Sequence, residues 1–338
     1  MQAGSGITIR QAIARYIERV SLARSENTAL TYRKALAAFA DSLKAKALDP
    51  DQQPLGRLSE DAVAWFTTAM KDLSPSTERL RLTAVAGFYE FLAAEKLAEP
   101  NLPRVRLLIR QRGRRPGQRL PQFPRTTIEQ VLEHVSRPSP TSDSNEHLRR
   151  LRDRAFLLTL ADTGLRVHEA CKIRRGDVDW DEAQALLVGK GNRQAVVRFS
   201  RRALRALRDY LKARSLMDGA SGRALTSLPL FARHDRGAGK KVRPITTTTG
   251  RTIVHQAVAA ALGDEAVGTI TPHSFRHYFV TAVLRGSGGN LKLAQELARH
   301  RNIAVTQRYA HLSDGELDRG YHEIFDAGKA KESPGEAE

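Results

Sequence analysis

Cysteine is nearly absent from this 338-residue chain, in which Cys171 stands alone. Without a second thiol there is no intrachain disulfide, and a cysteine-rich zinc site is excluded. Aromatic residues make up 6% of the chain, too few for a protein that works mainly by stacking single-stranded bases. No apolar run approaches the roughly 20 residues needed to cross a bilayer. The opening Met1-Gln2-Ala3-Gly4-Ser5-Gly6 also lacks the charged-then-apolar order of a secretory signal. The expected location is therefore the cytoplasm, at the nucleoid if the partner is DNA. Acidic residues are in deficit as well: 37 Asp and Glu face 55 Lys and Arg, a net charge of +18. Such an excess suits a polyanionic partner. Nucleic acid is the commonest, with ribosomal or membrane-surface binding as the blander alternative.

The length accommodates two domains, each with its own core. Residues 7–99 read as helix: Ile9, Ile13, Tyr16, Ile17 and Val20 recur at helical spacing, and so do Tyr32, Leu36, Phe39 and Leu43. Ser59 is placed to cap a helix carrying Val63, Phe66 and Met70. Ser74-Pro75 supplies cap and first-turn proline for a helix carrying Leu82, Val85, Phe88 and Leu92. Residues 100–124 change character. Arg104, Arg106, Arg110, Arg112, Arg114, Arg115 and Arg119 occur there without one acidic residue, among Pro103, Pro116 and Pro121. We read this as an interdomain linker, whose arginines could release counterions from a DNA backbone or could simply be solvated.

A second domain is expected over 125–327. Its early helices carry Ile128, Val131, Leu132 and Val135, then Leu148 to Asp162, with a stop at Thr163-Gly164. Short strands are expected at Trp180, Leu186-Leu187-Val188 and Ala195-Val196-Val197, the last two joined by a hairpin turn around Gly191-Asn192. Helix resumes from Leu204 to Leu216, and Arg233 to Arg243 reads as an exposed loop. Residues 328–338 form a polar tail expected to be disordered.

Candidate chemistry gathers in this second part. Arg166 and Glu169 lie three apart, so a helix beginning after Gly164 would let the carboxylate orient the guanidinium; a plain surface ion pair is the competing reading. A zinc-protease motif fails because Lys172 stands where the second histidine is needed. Gly189-Lys190-Gly191 lacks the spacing of a nucleotide phosphate loop. Lys190 near the turn is either solvated or placed to protonate a leaving oxygen. Thr271-Pro272 opens a helix on which His273 and Arg276 share a face, with His277 beside them. Asn290 caps a helix that delivers His300, and Tyr309 follows. A free tyrosine, with a pKa of about 10, becomes a useful nucleophile only where cations stabilise the phenolate or a base takes its proton.

In this order the motifs resemble the tyrosine recombinases, the phage-integrase and Xer-type family, over essentially the whole chain. The resemblance implies a mainly α fold with a small antiparallel β-sheet. It also implies a two-domain C-shaped clamp on DNA, built from a helical SAM-like core-binding domain and an α+β catalytic domain. Arg166, Lys190, His273, Arg276, His300 and Tyr309 fill the family's catalytic pattern, with Glu169 at its supporting acidic position. One departure is Ala298-Arg299-His300, where many members have Leu-Gly-His.

The implied reaction is attack by Tyr309 on a DNA phosphate, giving a 3′-phosphotyrosyl bond and a free 5′-hydroxyl. Arg166 and Arg276 hold the phosphate oxygens, Lys190 is general acid, His273 moves a proton and His300 hydrogen-bonds the phosphate. Neither metal nor ATP is required. The implied assembly is a homotetramer exchanging strands between two specific duplex sites through a Holliday junction, with an accessory protein or second recombinase as a further partner. Leu317, Tyr321, Ile324 and Phe325 form a helical apolar stripe suited to docking on a neighbouring protomer or on its own domain. The helical part begins almost at residue 7, which favours a simple Xer-like or transposon-resolving architecture. The competing functions are a type IB topoisomerase-like relaxer and a non-catalytic architectural DNA-binding protein.

Overall fold

Thr8 starts the first helix. Its hydroxyl accepts the Gln11 N–H at 3.2 Å while Gln11 Oε1 accepts the Thr8 N–H at 2.9 Å, a reciprocal cap that fixes α1 at Ile9–Ala23. Ser25 caps α2 (Glu26–Lys44) and Ser74 caps α4 (Pro75–Ala94), where Pro75 occupies the first turn as expected. Between them lies α3 (Asp61–Ala69). The computed structural model describes residues 6–112, 125–137, 143–188, 194–235, 237, 241–300 and 302–307. The chain divides into two compact units, Met1–Gln118 and Arg119–Glu338.

In the first unit, Leu36, Phe39, Phe66, Phe88 and Tyr89 are fully buried around the contacts of α2, α3 and α4. A Cβ at Gly87 would collide with the Tyr16 hydroxyl, so glycine lets α4 pass close to α1. Tyr16 in turn packs 5.3 Å from the Phe91 ring centroid.

The capping role expected of Ser59 is not observed. The cap position of α3 is Glu60, without a side-chain cap bond. Ser59 instead uses its carbonyl, which accepts the Tyr89 hydroxyl at 2.7 Å. Glu60 Oε1 accepts the Asn101 N–H at 2.6 Å, which anchors an element the sequence reading did not foresee. Residues Leu102–Arg112 form a helix, α5, within the stretch read as linker. Its Val105 is buried, and Leu102, Leu108 and Ile109 pack on the same core. An apolar stripe at that spacing, opened by Asn101 capping Arg104 N at 3.0 Å, was present beneath the arginines.

The second unit begins with α6 (Arg125–Ser136) and α7 (Ser144–Thr163), followed by a short α8 (Val167–Ala170). Strands β1 (Val178–Asp179), β2 (Gln184–Val188) and β3 (Gln194–Arg198) make a sheet of order β1-β2-β3, antiparallel throughout. Trp180 follows β1 instead of lying within it. Ala185 faces Val197 across the ladder and both are buried, while the next pair, Leu186 and Val196, is exposed, as strand alternation requires. The expected turn at Gly191-Asn192 lies outside the described residues. Helices α9 (Arg201–Ala213), α10 (Ser215–Gly219), α11 (Thr247–Leu262), α12 (Pro272–Gly286), α13 (Leu291–Ala298) and α14 (Ile303–Gln307) complete the unit.

The core of this unit surrounds α7, with Phe156 edge-on to Phe231 at 5.1 Å. It also buries a charged network. Arg214 and Asp218 are wholly enclosed, and Arg214 donates to Tyr210 Oη at 3.0 Å and to the Pro229 carbonyl at 2.8 Å. Tyr210 Oη lies 2.7 Å from His234 Nε2. The segment Arg233 to Arg243 is therefore not simply an exposed loop, since His234 and Val242 are buried. Burial and the nearby guanidinium groups push the His234 pKa down to about 3, so this histidine is neutral.

Candidate active site

The site is built on the end of α7. Gly164 closes that helix in the left-handed region (φ 60°), as the Thr163-Gly164 stop suggested. A Cβ there would also run into the Phe279 ring of α12. Glycine thus permits both the turn and the close approach. The carbonyl of Gly164 accepts a hydrogen bond from Arg276 Nη1.

Two residues on, Arg166 occupies the cap of α8 and Glu169 reaches back to it. Glu169 Oε2 accepts the Arg166 backbone N–H at 2.9 Å, and Oε1 accepts Arg166 Nη1 at 2.9 Å. The ion pair inferred from the spacing is real, and it doubles as a helix cap. A second guanidinium joins it: Arg299 Nη2 donates to Glu169 Oε2 at 3.3 Å. Burial by itself would raise the Glu169 pKa. The Arg166 N–H and the charges of Arg299 and Arg166 outweigh it and hold the carboxyl below its ordinary value.

Thr271 and Pro272 open α12, with the Thr271 N–H donated to Ser274 Oγ at 3.0 Å. One turn in, Arg276 is only 2% exposed. Its Nη2 donates to the carbonyl of Ala298 as its Nη1 does to Gly164. One guanidinium thus ties the ends of α7 and α13 to α12. Either carbonyl left unmet in the interior costs about 1–3 kcal/mol.

Asn290 caps α13 through a 2.9 Å bond from Leu293 N, as expected. The helix ends with Arg299 in the left-handed region (φ 57°) and then His300. The ring of His300 is held from behind, with Nδ1 2.9 Å from Oγ1 of the fully buried Thr306 on α14.

Three histidines share the positive field of these arginines. Burial, Arg276 and Arg166 lower the His273 pKa. Burial, His273, Arg276 and His300 lower that of His277 to about 4. Burial, Arg276, Arg166, Arg299 and His273 bring His300 to about 4. All three rings are therefore neutral near pH 7. The His273 and His277 rings pack edge-on at 4.3 Å, which assigns His277 a packing contact.

Arg166, Glu169, His273, Arg276 and His300 thus come together from α8, α12 and α13. Lys190, Tyr309 and the stripe Leu317, Tyr321, Ile324 and Phe325 lie outside the described residues. So do Arg114, Arg115 and Arg119. Of the remaining linker arginines, Arg110 is exposed and Arg112 closes α5. Arg104 and Arg106 are turned to the first unit's own acids: Arg104 Nη2 lies 2.6 Å from Asp61 and Arg106 Nη2 lies 3.0 Å from Glu90. A groove of about 600 Å³ on the second unit is lined by His168, Lys172, Arg174 and Arg223 beside the start of α11. The sequence reading missed Arg299 and Thr306 as neighbours of the site. Their partners are 130 and 6 residues away, and the left-handed cap gave no signal for a long side chain.

Among the described residues no helix is long and apolar enough to cross a membrane. Nor does any group of three or more His, Cys, Asp and Glu among them sit where it could hold a metal ion.

Residues 127–316 match the phage integrase family, and residues 13–96 match the phage integrase N-terminal SAM-like domain. The chain is 30% identical to the tyrosine recombinase XerD of Mycobacterium tuberculosis, over 89% of this chain and 93% of that protein. It is 29% identical to the tyrosine recombinase XerC of Bacillus subtilis, over 93% of this chain and 95% of that one. Among solved structures, XerH site-specific recombinase in a post-cleavage complex with its palindromic difH substrate has the same fold. Its TM-score is 0.67 at 16% identity, over 93% of this chain and 95% of that chain. The Tn1549 transposon integrase bound to transposon right-end DNA aligns with a TM-score of 0.65 at 17% identity, over 95% of this chain and all (100%) of that one. With the family matched over more than half of its length and such relatives over nearly all of it, the chain belongs to the phage integrase family and is a tyrosine recombinase.

Proposed function

We propose that this protein is a site-specific DNA recombinase that cleaves and rejoins duplex DNA through a covalent bond to Tyr309. The observation that carries the reading is the convergence of Arg166, Arg276, His273 and His300 from three helices around one electropositive spot. A phosphodiester placed there meets guanidinium groups already oriented by Glu169 and by backbone carbonyls. It therefore gains charge stabilisation as negative charge builds on its oxygens, with little reorganisation.

The steps follow from the groups. The phenol oxygen of Tyr309 attacks phosphorus and its proton passes to His273, which is neutral for the purpose. The bond to the 5′ oxygen breaks, and Lys190 gives that oxygen a proton. The 3′-phosphotyrosyl ester keeps the energy of the broken phosphodiester. A partner strand's 5′-hydroxyl then reverses the step, and a Holliday junction forms midway. His300 serves best with its hydrogen on Nε2, donated to a phosphate oxygen. A Thr306 hydroxyl donating to Nδ1 would select that tautomer. No step calls on ATP or a metal.

Residues 7–99 would act as the core-binding domain, 100–124 as the connection that includes α5, 125–327 as the catalytic domain and 328–338 as a tail. The excess of cationic residues supports binding to duplex DNA over many phosphates. Assembly as a homotetramer on two sites, through Leu317, Tyr321, Ile324 and Phe325, belongs to the same proposal, as does action in the cytoplasm on nucleoid DNA.

The test is a nicked suicide duplex carrying inverted repeats taken from the DNA flanking the coding sequence. The wild-type chain should leave a detergent-resistant protein–DNA adduct. Tyr309→Phe should bind the duplex equally and leave none. An adduct that survives this substitution sinks the assignment, and relaxation of any supercoiled plasmid by a monomer would replace it with a topoisomerase reading.

A further inference from the structure

We propose that Arg299 is a positioning residue of the phosphate clamp, one that locks Glu169 and through it Arg166. This rests on the recombinase reading of Arg166. Arg299 is a long side chain where the backbone favours glycine: φ is 57° and ψ 45° at the end of α13. An L side chain in this region is strained, and the strain persists only where its surroundings hold it. Here the side chain is 14% exposed and runs inward, with Nη2 3.3 Å from Glu169 Oε2 and Nη1 3.3 Å from the Leu297 carbonyl.

The consequence falls on Glu169. Its Oε1 accepts Arg166 Nη1 at 2.9 Å and its Oε2 receives both the Arg166 N–H and Arg299. Arg166 alone meets both oxygens, so Arg299 contributes a third donor, from the end of α13, that holds Glu169 independently of the guanidinium it orients and narrows the orientations open to the partly exposed Arg166. Arg299 also stands between the two residues on which the rest of the site depends. Ala298 supplies the carbonyl that holds Arg276, and His300 follows. One residue therefore joins α8, which carries Arg166, to the end of α13, which carries His300. Burial lowers the Arg299 pKa and Glu169 opposes the fall, so the pair stays ionised on both sides.

A capping role alone makes the opposite forecast, because glycine at this φ relieves strain. The deciding variants are Arg299→Gly and Arg299→Lys. A denaturation cycle over wild type, Arg299→Gly, Glu169→Gln and the double variant, without DNA, reads the bridge itself. Strain relief cancels in the cycle, so non-additive stabilities support the bridge and additive ones overturn it.

Single-turnover cleavage of the nicked suicide duplex at saturating protein reads the consequence. Arg299→Gly should stay folded, with relief of strain offsetting the lost bridge, and cleave up to about 100-fold more slowly, with Arg299→Lys recovering part of the loss. Arg299→Gly cleaving at the wild-type rate overturns the proposal. A wild-type chain that forms no adduct counts against the recombinase reading, and the DNA-free cycle still decides the bridge.

Discussion

Arginine is used in opposite ways on α5 and at the candidate active site. Arg104 and Arg106 are 48% and 61% exposed, each in direct contact with a carboxylate of its own unit. Arg276 is buried with its guanidinium on two backbone carbonyls, and Arg299 is 14% exposed against a shared carboxylate. Exposed pairs of the first kind contribute about 0–1 kcal/mol and exchange partners readily. A buried guanidinium cannot leave without abandoning polar groups in the interior. The first kind suits a surface that trades its own carboxylates for DNA phosphates. The second suits a site whose charge must already be aimed. Composition treats the two alike, and only the partners separate them.

The sharpest break in that comparison is Arg276→Ala. Cleavage of the suicide duplex should fall by about 100- to 1,000-fold, the loss typical of one transition-state donor. The stranded carbonyls of Gly164 and Ala298 should also lower stability by about 1–3 kcal/mol each. Arg276→Lys should remain slow, because a point charge cannot span both carbonyls. Single-turnover rates and denaturant melts check both effects. A variant melting like wild type would mean that Arg276 is not the tie between α7 and α13. Next in size is Gly164→Ala, which puts a methyl group against Phe279 at φ 60°. It should cost about 1–3 kcal/mol by denaturant unfolding, and a neutral result would show that the α7–α12 approach is slack.

Much of this arrangement was legible in the sequence where the cause is local. Thr163-Gly164, Thr271-Pro272 and Asn290 mark helix ends by backbone chemistry that acts within four residues, and each stands where it was read. Arg166 and Glu169 were legible because three residues of helix set their distance. The rest depended on partners far along the chain. Ser59 resembles a cap, yet Tyr89, 30 residues away, uses its carbonyl. The stripe of α5 was hidden by prolines and arginines. His234 sits in a polar stretch and is buried because Tyr210 and its neighbours enclose it.

Acid separates the two units. Residues 1–118 contain no histidine, whereas the second unit carries His277 and His300 with pKa values of about 4. In the unfolded chain these rings protonate near 6.5, so between pH 6.5 and about 4 the unfolded state holds more protons than the folded one. Their contribution is fully present above pH 6.5 and is lost as the pH falls toward 4. Amide exchange followed from pH 7 to 4.5 should therefore show α12 and α13 loosening while α1 to α4 hold. Equal loosening in both units would place the acid-sensitive groups elsewhere.

The smallest effect in the folded protein is expected on α5, and it decides whether that helix belongs to the DNA surface. Arg104→Gln with Arg106→Gln removes two exposed pairs, so the unfolding free energy should move by no more than about 2 kcal/mol. Val105, Leu102, Leu108 and Ile109 still hold the helix to its core. Affinity for duplex DNA responds differently if these side chains exchange Asp61 and Glu90 for phosphates on binding. Each lost phosphate contact removes about 0.9 from the slope of log K against log salt. Titrations of wild type and the double variant across a salt series then separate the uses. A slope reduced by close to two contacts, at unchanged stability, makes the α5 arginines a phosphate-tracking surface. An unchanged slope confines them to pinning the helix on the first unit, and leaves the cationic groups of the second unit to hold the DNA.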